Sequence, residues 1–187
     1  MTVGAIILAA GMSRRMGSDK LSMPVAGKPM LRHVFDSAIG AKLSDPIVVF
    51  GHNPAAIEAV LHDCRYRAVM AKNYAEGLSQ SLAAGVKAVP EEWRGVFVLL
   101  GDMPYISPAL LLRMRALLRP EGIVVPVFRG QRGNPVLWSR TFLKSLAGLQ
   151  GDSGGKQIFQ NHPSAITELP WDDSILRDID TPSSLRT

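Results

Sequence analysis

A chain of 187 residues and 20.3 kDa has the length of one domain, and with 47% hydrophobic and 20% charged residues it can bury a core of its own. Mean hydropathy is +0.11, no apolar run approaches the roughly 18 residues of a membrane span, and Cys64 as the only cysteine excludes a disulfide framework and a cysteine-built metal site. The net charge of +5 is spread without a block of like charges and among few aromatics, which speaks against a nucleic-acid platform and suits a small polyanion such as a nucleotide.

Val3–Ala9 (VGAIILA) is a continuous apolar run stopped by Gly11, the pattern of a strand buried on both faces. No basic segment precedes it, and Arg14, Arg15 and Lys20 follow it in place of a small-residue cleavage site, so it does not read as a secretion signal. Residues 29–39 place Met30, Val34, Phe35 and Ala38 on one stripe, a helix with proline in its first turn and Gly40 after its end. Residues 46–50 read as a strand, 54–61 as a short helix, 66–70 as a strand and 77–89 as a helix stopped by Pro90. Val96 to Leu100 (VFVLL) is the second fully apolar run, again stopped by glycine. Ser107 is a helix cap, with Pro108 opening a helix through Leu118. Residues 123–128 and 135–138 flank a glycine-bearing turn and predict a β-hairpin. Residues 141–148 and 153–159 read as helical, 166–169 as extended, and 182–185 as the start of a short helix.

This alternation predicts one α/β domain over residues 1–187: a Rossmann-like three-layer sandwich, mostly parallel, with the hairpin as a local antiparallel addition. Ligands in such sheets sit beyond the carboxyl ends of the strands. Residues 8–20, LAAGMSRRMGSDK, and residues 101–105 lie there. Small residues at Ala9, Ala10 and Gly11 let backbone amides approach a ligand, and Gly17 permits a second tight turn. Arg14, Arg15 and Lys20 add the charge a triphosphate requires. The loop is neither a Walker A loop nor a G-x-G-x-x-G turn.

Asp102, after VFVLL and Gly101, is predicted at the carboxyl edge of a central strand, where Mg²⁺ in nucleotide enzymes takes one or two carboxylates. Asp178 and Asp180 alternate on an extended segment and are candidates for the second carboxylate, although Asp180 also suits a helix cap. Ser79 and Ser81 precede an apolar helical stripe, which makes N-capping their ordinary role. Asn134 is placed either in the turn or against an acceptor. The four histidines show no ligand spacing.

The pattern L-A-A-G-x-S-x-R-M-G-x-x-K, followed by Pro24 and Gly27-Lys28-Pro29, resembles the signature of the molybdenum cofactor cytidylyltransferase family. That family's relatives include the guanylyltransferase for the same cofactor and, more distantly, the sugar-phosphate and methylerythritol-phosphate nucleotidyltransferases. Residues 77–82 (GLSQSL), 101–104 (GDMP), 133–136 (GNPV), 151–156 (GDSGGK) and 178–182 (DIDTP) resemble the family's further elements in the same order. The resemblance implies the fold of the nucleotide-diphospho-sugar transferases and transfer of CMP from CTP to a molybdenum-bearing pterin monophosphate, with release of pyrophosphate. It implies Mg²⁺ on Asp102 with Asp178 or Asp180, and catalytic roles for Arg14, Lys20 and Asp102. The nucleotide is expected against Leu8, Ala9, Ala10, Gly11, Ser13, Arg14, Arg15, Gly17, Lys20, Ser79 and Ser81. The acceptor is expected against Asn134, Pro135 and Asp152. L-A-A-G, with Ala10 in the deciding place, favours CTP, whereas Asp19-Lys20 is also common among guanylyl relatives. The expected setting is cytoplasmic, with a molybdenum hydroxylase or its chaperone as receiving partner and neither nucleic acid nor membrane as a partner. A guanylyl or sugar-phosphate transferase and a non-catalytic cofactor-handover module are the alternatives.

Overall fold

A computed structural model describes residues 1–11, 19–151 and 155–179. In chain order the elements are β1 (Val3–Ala9), β2 (Pro24–Val25), β3 (Lys28–Pro29), α1 (Met30–Gly40), β4 (Ser44–Phe50), α2 (Pro54–Val60), β5 (Arg67–Met70) and α3 (Leu78–Lys87). There follow β6 (Gly95–Leu100), α4 (Pro108–Leu117), β7 (Ile123–Phe128), β8 (Gln131–Arg132), β9 (Val136–Ser139), α5 (Leu143–Ala147), α6 (Lys156–Asn161) and β10 (Ile166–Pro170). Short 3-10 turns cover Lys20–Ser22, Tyr74–Glu76, Arg140–Phe142, Pro163–Ala165 and Asp173–Leu176. The helix expected at 182–185 lies outside the described residues.

Every residue of β1 is buried, and strand alternation divides them between two layers. Ala5, Ile7 and Ala9 pack with Met30 and Val34 of α1, Ile57 of α2 and Leu110 of α4. Ile6 and Leu8, followed by Ala10, pack with Leu82 and Val86 of α3, Leu146 of α5 and Ile158 of α6. This is why VGAIILA carries no polar residue: it is the central slab of a three-layer α/β sandwich. Truncating a side chain such as Ile7 to alanine there costs about 2–5 kcal/mol.

The main sheet has eight strands in the order β10-β7-β9-β6-β1-β4-β5, with β8 paired to β7. β1 is parallel to β4 and β6, β4 to β5, and β7 to β10. The strands expected to form a hairpin, at 123–128 and 135–138, pair antiparallel as β7 and β9. What the sequence did not indicate is that β9 also pairs antiparallel with β6, which inserts it between β6 and β7, and that β8 makes a tighter turn with β7 through Arg129 (φ 49°) and Gly130 (φ 81°). Helix caps follow the sequence at Ser107, whose hydroxyl accepts from the Leu110 amide at 3.3 Å, and at Asn53, which caps α2. Proline precedes α1 as its cap instead of lying within the first turn, and Gly40 is its last residue. Among the described residues no helix is long and apolar enough to cross a membrane.

Candidate active site

The carboxyl ends of β1, β4 and β6 lie side by side, and two glycines let them close up. A Cβ on Gly51, just past β4, would stand 2.5 Å from the Ala10 carbonyl oxygen and 2.8 Å from its Cα. One on Gly101, just past β6, would stand 2.9 Å from the Leu8 carbonyl oxygen, which accepts the Gly101 amide at 3.1 Å. Ala10 is thus buried between strand ends, and the chain emerges at the exposed Gly11.

The loop returns at Asp19, whose carboxylate accepts from the Leu21 amide at 3.3 Å and caps the turn Lys20–Ser22. Leu21 is buried and packs toward Gly101. That anchor sets Lys20 beside the end of β6, where its Nζ donates to Asp102 Oδ2 at 2.8 Å. Both side chains are largely shielded, 13% and 23% exposed. Two residues 82 positions apart, named separately from the sequence, therefore meet as an ion pair at the strand edge.

The carboxyl-terminal segment is fastened to the same turn at two points. The amide of Ile179, itself buried, donates to the Asp102 carbonyl at 3.0 Å. The Arg177 guanidinium lies 4.1 Å from the centre of the Tyr105 ring, a cation–π contact of about 0.5–1 kcal/mol at such a surface. Asp178, between these fastenings, is exposed. Asp102 and Asp178 offer hard oxygen donors, and among the described residues no group of three or more His, Cys, Asp and Glu side chains forms. Carboxylates are the donors that a divalent ion takes beside phosphate oxygens and water, and the Ile179 bond brings the backbone next to Asp178 up to Asp102.

On the α3 side of the sheet a cavity of about 530 Å³ opens beside these strand ends. Leu8, Leu78, Leu82 and Leu100 line it together with Asn134, Trp138, Lys156 and Phe159. Trp138 and Phe159 stack with centroids 5.4 Å apart and planes 5° apart, and the Arg132 guanidinium lies over the Phe159 ring, 5.5 Å from its centre. Asn134 is set by its backbone, whose amide donates to the Ile175 carbonyl at 2.9 Å.

N-capping, the ordinary role for Ser79 and Ser81, is not observed. Gly77, with φ of 117°, occupies the cap position of α3 without a side-chain bond. Both serines are buried, and the Ser79 hydroxyl is without a hydrogen-bond partner. Leu78 and Leu82, one helical turn apart, face the cavity instead. These leucines belong to the segment 77–82, and Lys156 to 151–156, both singled out from the sequence as elements though not by these side chains; Trp138, Phe159 and Arg132 were missed, and the apolar i, i+4 spacing of the leucines was the available signal. Of the expected nucleotide and acceptor residues, Leu8 and Asn134 line the same cavity. Ala9 faces the opposite layer, and Pro135 is buried. Ser13, Arg14, Arg15, Gly17, Asp152 and Asp180 lie outside the described residues.

Comparison with known proteins agrees with this architecture. Residues 5–166 match the MobA-like NTP transferase domain. The purine catabolism protein PucB of Bacillus subtilis (strain 168) is 31% identical over 188 residues, which span 95% of this chain and 91% of PucB. A probable molybdenum cofactor guanylyltransferase of Natranaerobius thermophilus is 30% identical over 130 residues, 68% of this chain and 62% of that protein. The crystal structure of Rv0371c from Mycobacterium tuberculosis H37Rv superimposes with a TM-score of 0.86 and 28% identity, covering 100% of this chain and 96% of that one. Its complex with manganese gives 0.85 at 26% identity over 100% and 97% of the two chains.

Proposed function

This chain belongs to the MobA-like NTP transferase family and is a nucleotidyltransferase, and from that premise we propose that it transfers CMP from CTP to a molybdenum-bearing pterin monophosphate. The observation that carries the reading is the meeting of Lys20 and Asp102, 2.8 Å apart, where β1 and β6 end. In the reaction an oxygen of the acceptor phosphate attacks the α-phosphorus of the nucleotide, the bond to the β-phosphate bridging oxygen breaks, and pyrophosphate departs. Such displacements need positioning and neutralisation of charge more than covalent help from the protein.

Each residue has a defined task in this proposal. Lys20, with Arg14 and Arg15, neutralises the charge that grows on the leaving pyrophosphate. Backbone amides of the segment from Ala9 through Ser13 and Gly17 hold the phosphates, and the unpartnered Ser79 hydroxyl, with Ser81 nearby in sequence, turns to the nucleoside. Asp102, with Asp178 or Asp180, holds Mg²⁺, which when bound offsets the repulsion between the donor and acceptor phosphates. Asn134, Pro135 and Asp152 bound the acceptor, whose body fits the partly aromatic cavity. The whole chain, 1–187, acts as one transferase unit and passes its product to a molybdenum hydroxylase or that enzyme's chaperone.

CTP is favoured in this reading by the L-A-A-G pattern with Ala10 in the deciding place, at the strand edge beside Gly51. Transfer of GMP is the second reading, favoured by the likeness to a probable guanylyltransferase. Pyrophosphate release from CTP, GTP and UTP, each with and without the pterin monophosphate, tests both. Release from CTP that depends on the acceptor is expected; release from GTP alone selects the second reading.

A further inference from the structure

We propose that Lys20 weakens the hold of Asp102 on free divalent cations, so that the site takes its metal chiefly as a metal–nucleotide complex. The proposal rests on Asp102 being a metal ligand. The Lys20 ammonium occupies one of the two Asp102 carboxylate oxygens at 2.8 Å, in surroundings where both side chains are mostly shielded from water. A free dication arriving there meets a positive charge already seated on its ligand, and it has to displace that charge to coordinate.

A triphosphate changes this balance. It brings acceptor oxygens to which the ammonium can turn, so the Lys20–Asp102 pair is exchanged for a Lys20–phosphate pair as the metal takes the carboxylate. Lysine suits such an exchange, because it is a point charge with three donors on a flexible four-carbon stem. Its backbone stays fixed meanwhile: Leu21 is buried toward Gly101, and Asp19 caps the turn. Lys20 is then a positioning residue for Asp102 before it is a phosphate ligand. Nucleotide and metal affinities must be coupled through it, each raising the other by the same factor.

The test is binding of Mn²⁺, followed by water-proton relaxation, to the wild type and to Lys20→Met, Lys20→Arg and Asp102→Asn, each with and without CTP and with no acceptor present. Lys20→Met is expected to bind free Mn²⁺ about tenfold more tightly than the wild type, the size of one lost charge-assisted bond. The gain in Mn²⁺ affinity that CTP brings is expected to shrink in that variant. Lys20→Arg, which keeps a charge able to reach the carboxylate, is expected to retain the weak free-ion binding of the wild type. Equal affinity for free Mn²⁺ in the wild type and Lys20→Met overturns the proposal. Asp102→Asn that still binds Mn²⁺ with CTP as the wild type does overturns the metal assignment itself, a result separate from the behaviour of Lys20.

Discussion

The two halves of the sheet reach the same edge by different means. In the amino-terminal half β1, β4, β5 and β6 run parallel, so each strand ends at the ligand edge and hands its chain to a loop there. In the carboxyl-terminal half β9 runs against both neighbours, and what reaches the edge is the segment Gly133–Pro135 that leads into it. The first half closes by backbone on backbone at Gly51 and Gly101, with Lys20 and Asp102 added above. The second half is lined by large side chains, Trp138, Phe159 and Arg132. In the proposed reaction the parallel block is the floor for the phosphates, and the inserted reversed strand carries the wall for the acceptor.

If this division is right, damage to the first half strikes chemistry. Asp102→Asn is expected to lower turnover by about 10²–10³-fold while leaving the melting temperature close to that of the wild type, measured by pyrophosphate release beside thermal unfolding. A near-normal rate would remove Asp102 from the chemistry. Paired glycine substitutions sharpen the contrast. A Cβ on Gly51 meets the Ala10 backbone, and one on Gly133 would stand 2.4 Å from the Ile175 carbonyl oxygen. Each alanine variant is expected to cost about 1–3 kcal/mol in urea unfolding. Gly51→Ala is expected to raise KM for the nucleotide and Gly133→Ala KM for the acceptor, and the reverse pattern would break the division.

A smaller effect is expected from Ala10→Gly. Loss of one methyl at the strand edge is expected to narrow the preference for CTP over GTP by about tenfold, without reversing it, as read by competition binding. Equal affinities in the wild type would end the cytidylyl assignment. The smallest effect lies behind the parallel half, on α1. Burial pushes the Asp36 carboxyl up, but hydrogen bonds from Lys28 and Arg32 outweigh it and hold the group below its ordinary 3.8. A depressed carboxyl adds stability above that ordinary value, which is lost as the pH falls through its folded pKa. Asp36→Asn is therefore expected to cost less than about 1 kcal/mol near neutrality, since the pair is exposed and screened. The difference should vanish in acid, and turnover should be unaffected.

The sequence made the parallel half readable because its signals are local. VGAIILA and VFVLL are apolar throughout since both faces are covered, and the glycine after each run marks where the backbone must turn or close up. The insertion of β9 was not readable. Residues 135–138 look the same whether they pair with one neighbour or two, and the second partner, β6, lies far back in the chain. The N-capping that suits Ser79 and Ser81 by position is not made, because Gly77 has the left-handed φ that lets the chain enter α3 directly. The likeness of short motifs named Lys20 and Asp102, but their contact depends on Leu21 finding Gly101, a packing event with no local signature.

The bond from the Ile179 amide to the Asp102 carbonyl has a consequence for the order of events during synthesis. Lys20 and Asp102 leave the ribosome long before residue 179, and the first half of the sheet can pair while the rest is still being made. The edge that holds Asp102 lacks its last fastening until Arg177 and Ile179 have emerged and docked. A nascent chain can therefore pair its parallel strands well before the turn at Asp102 is fastened from behind, a step that waits for Arg177 and Ile179 to emerge.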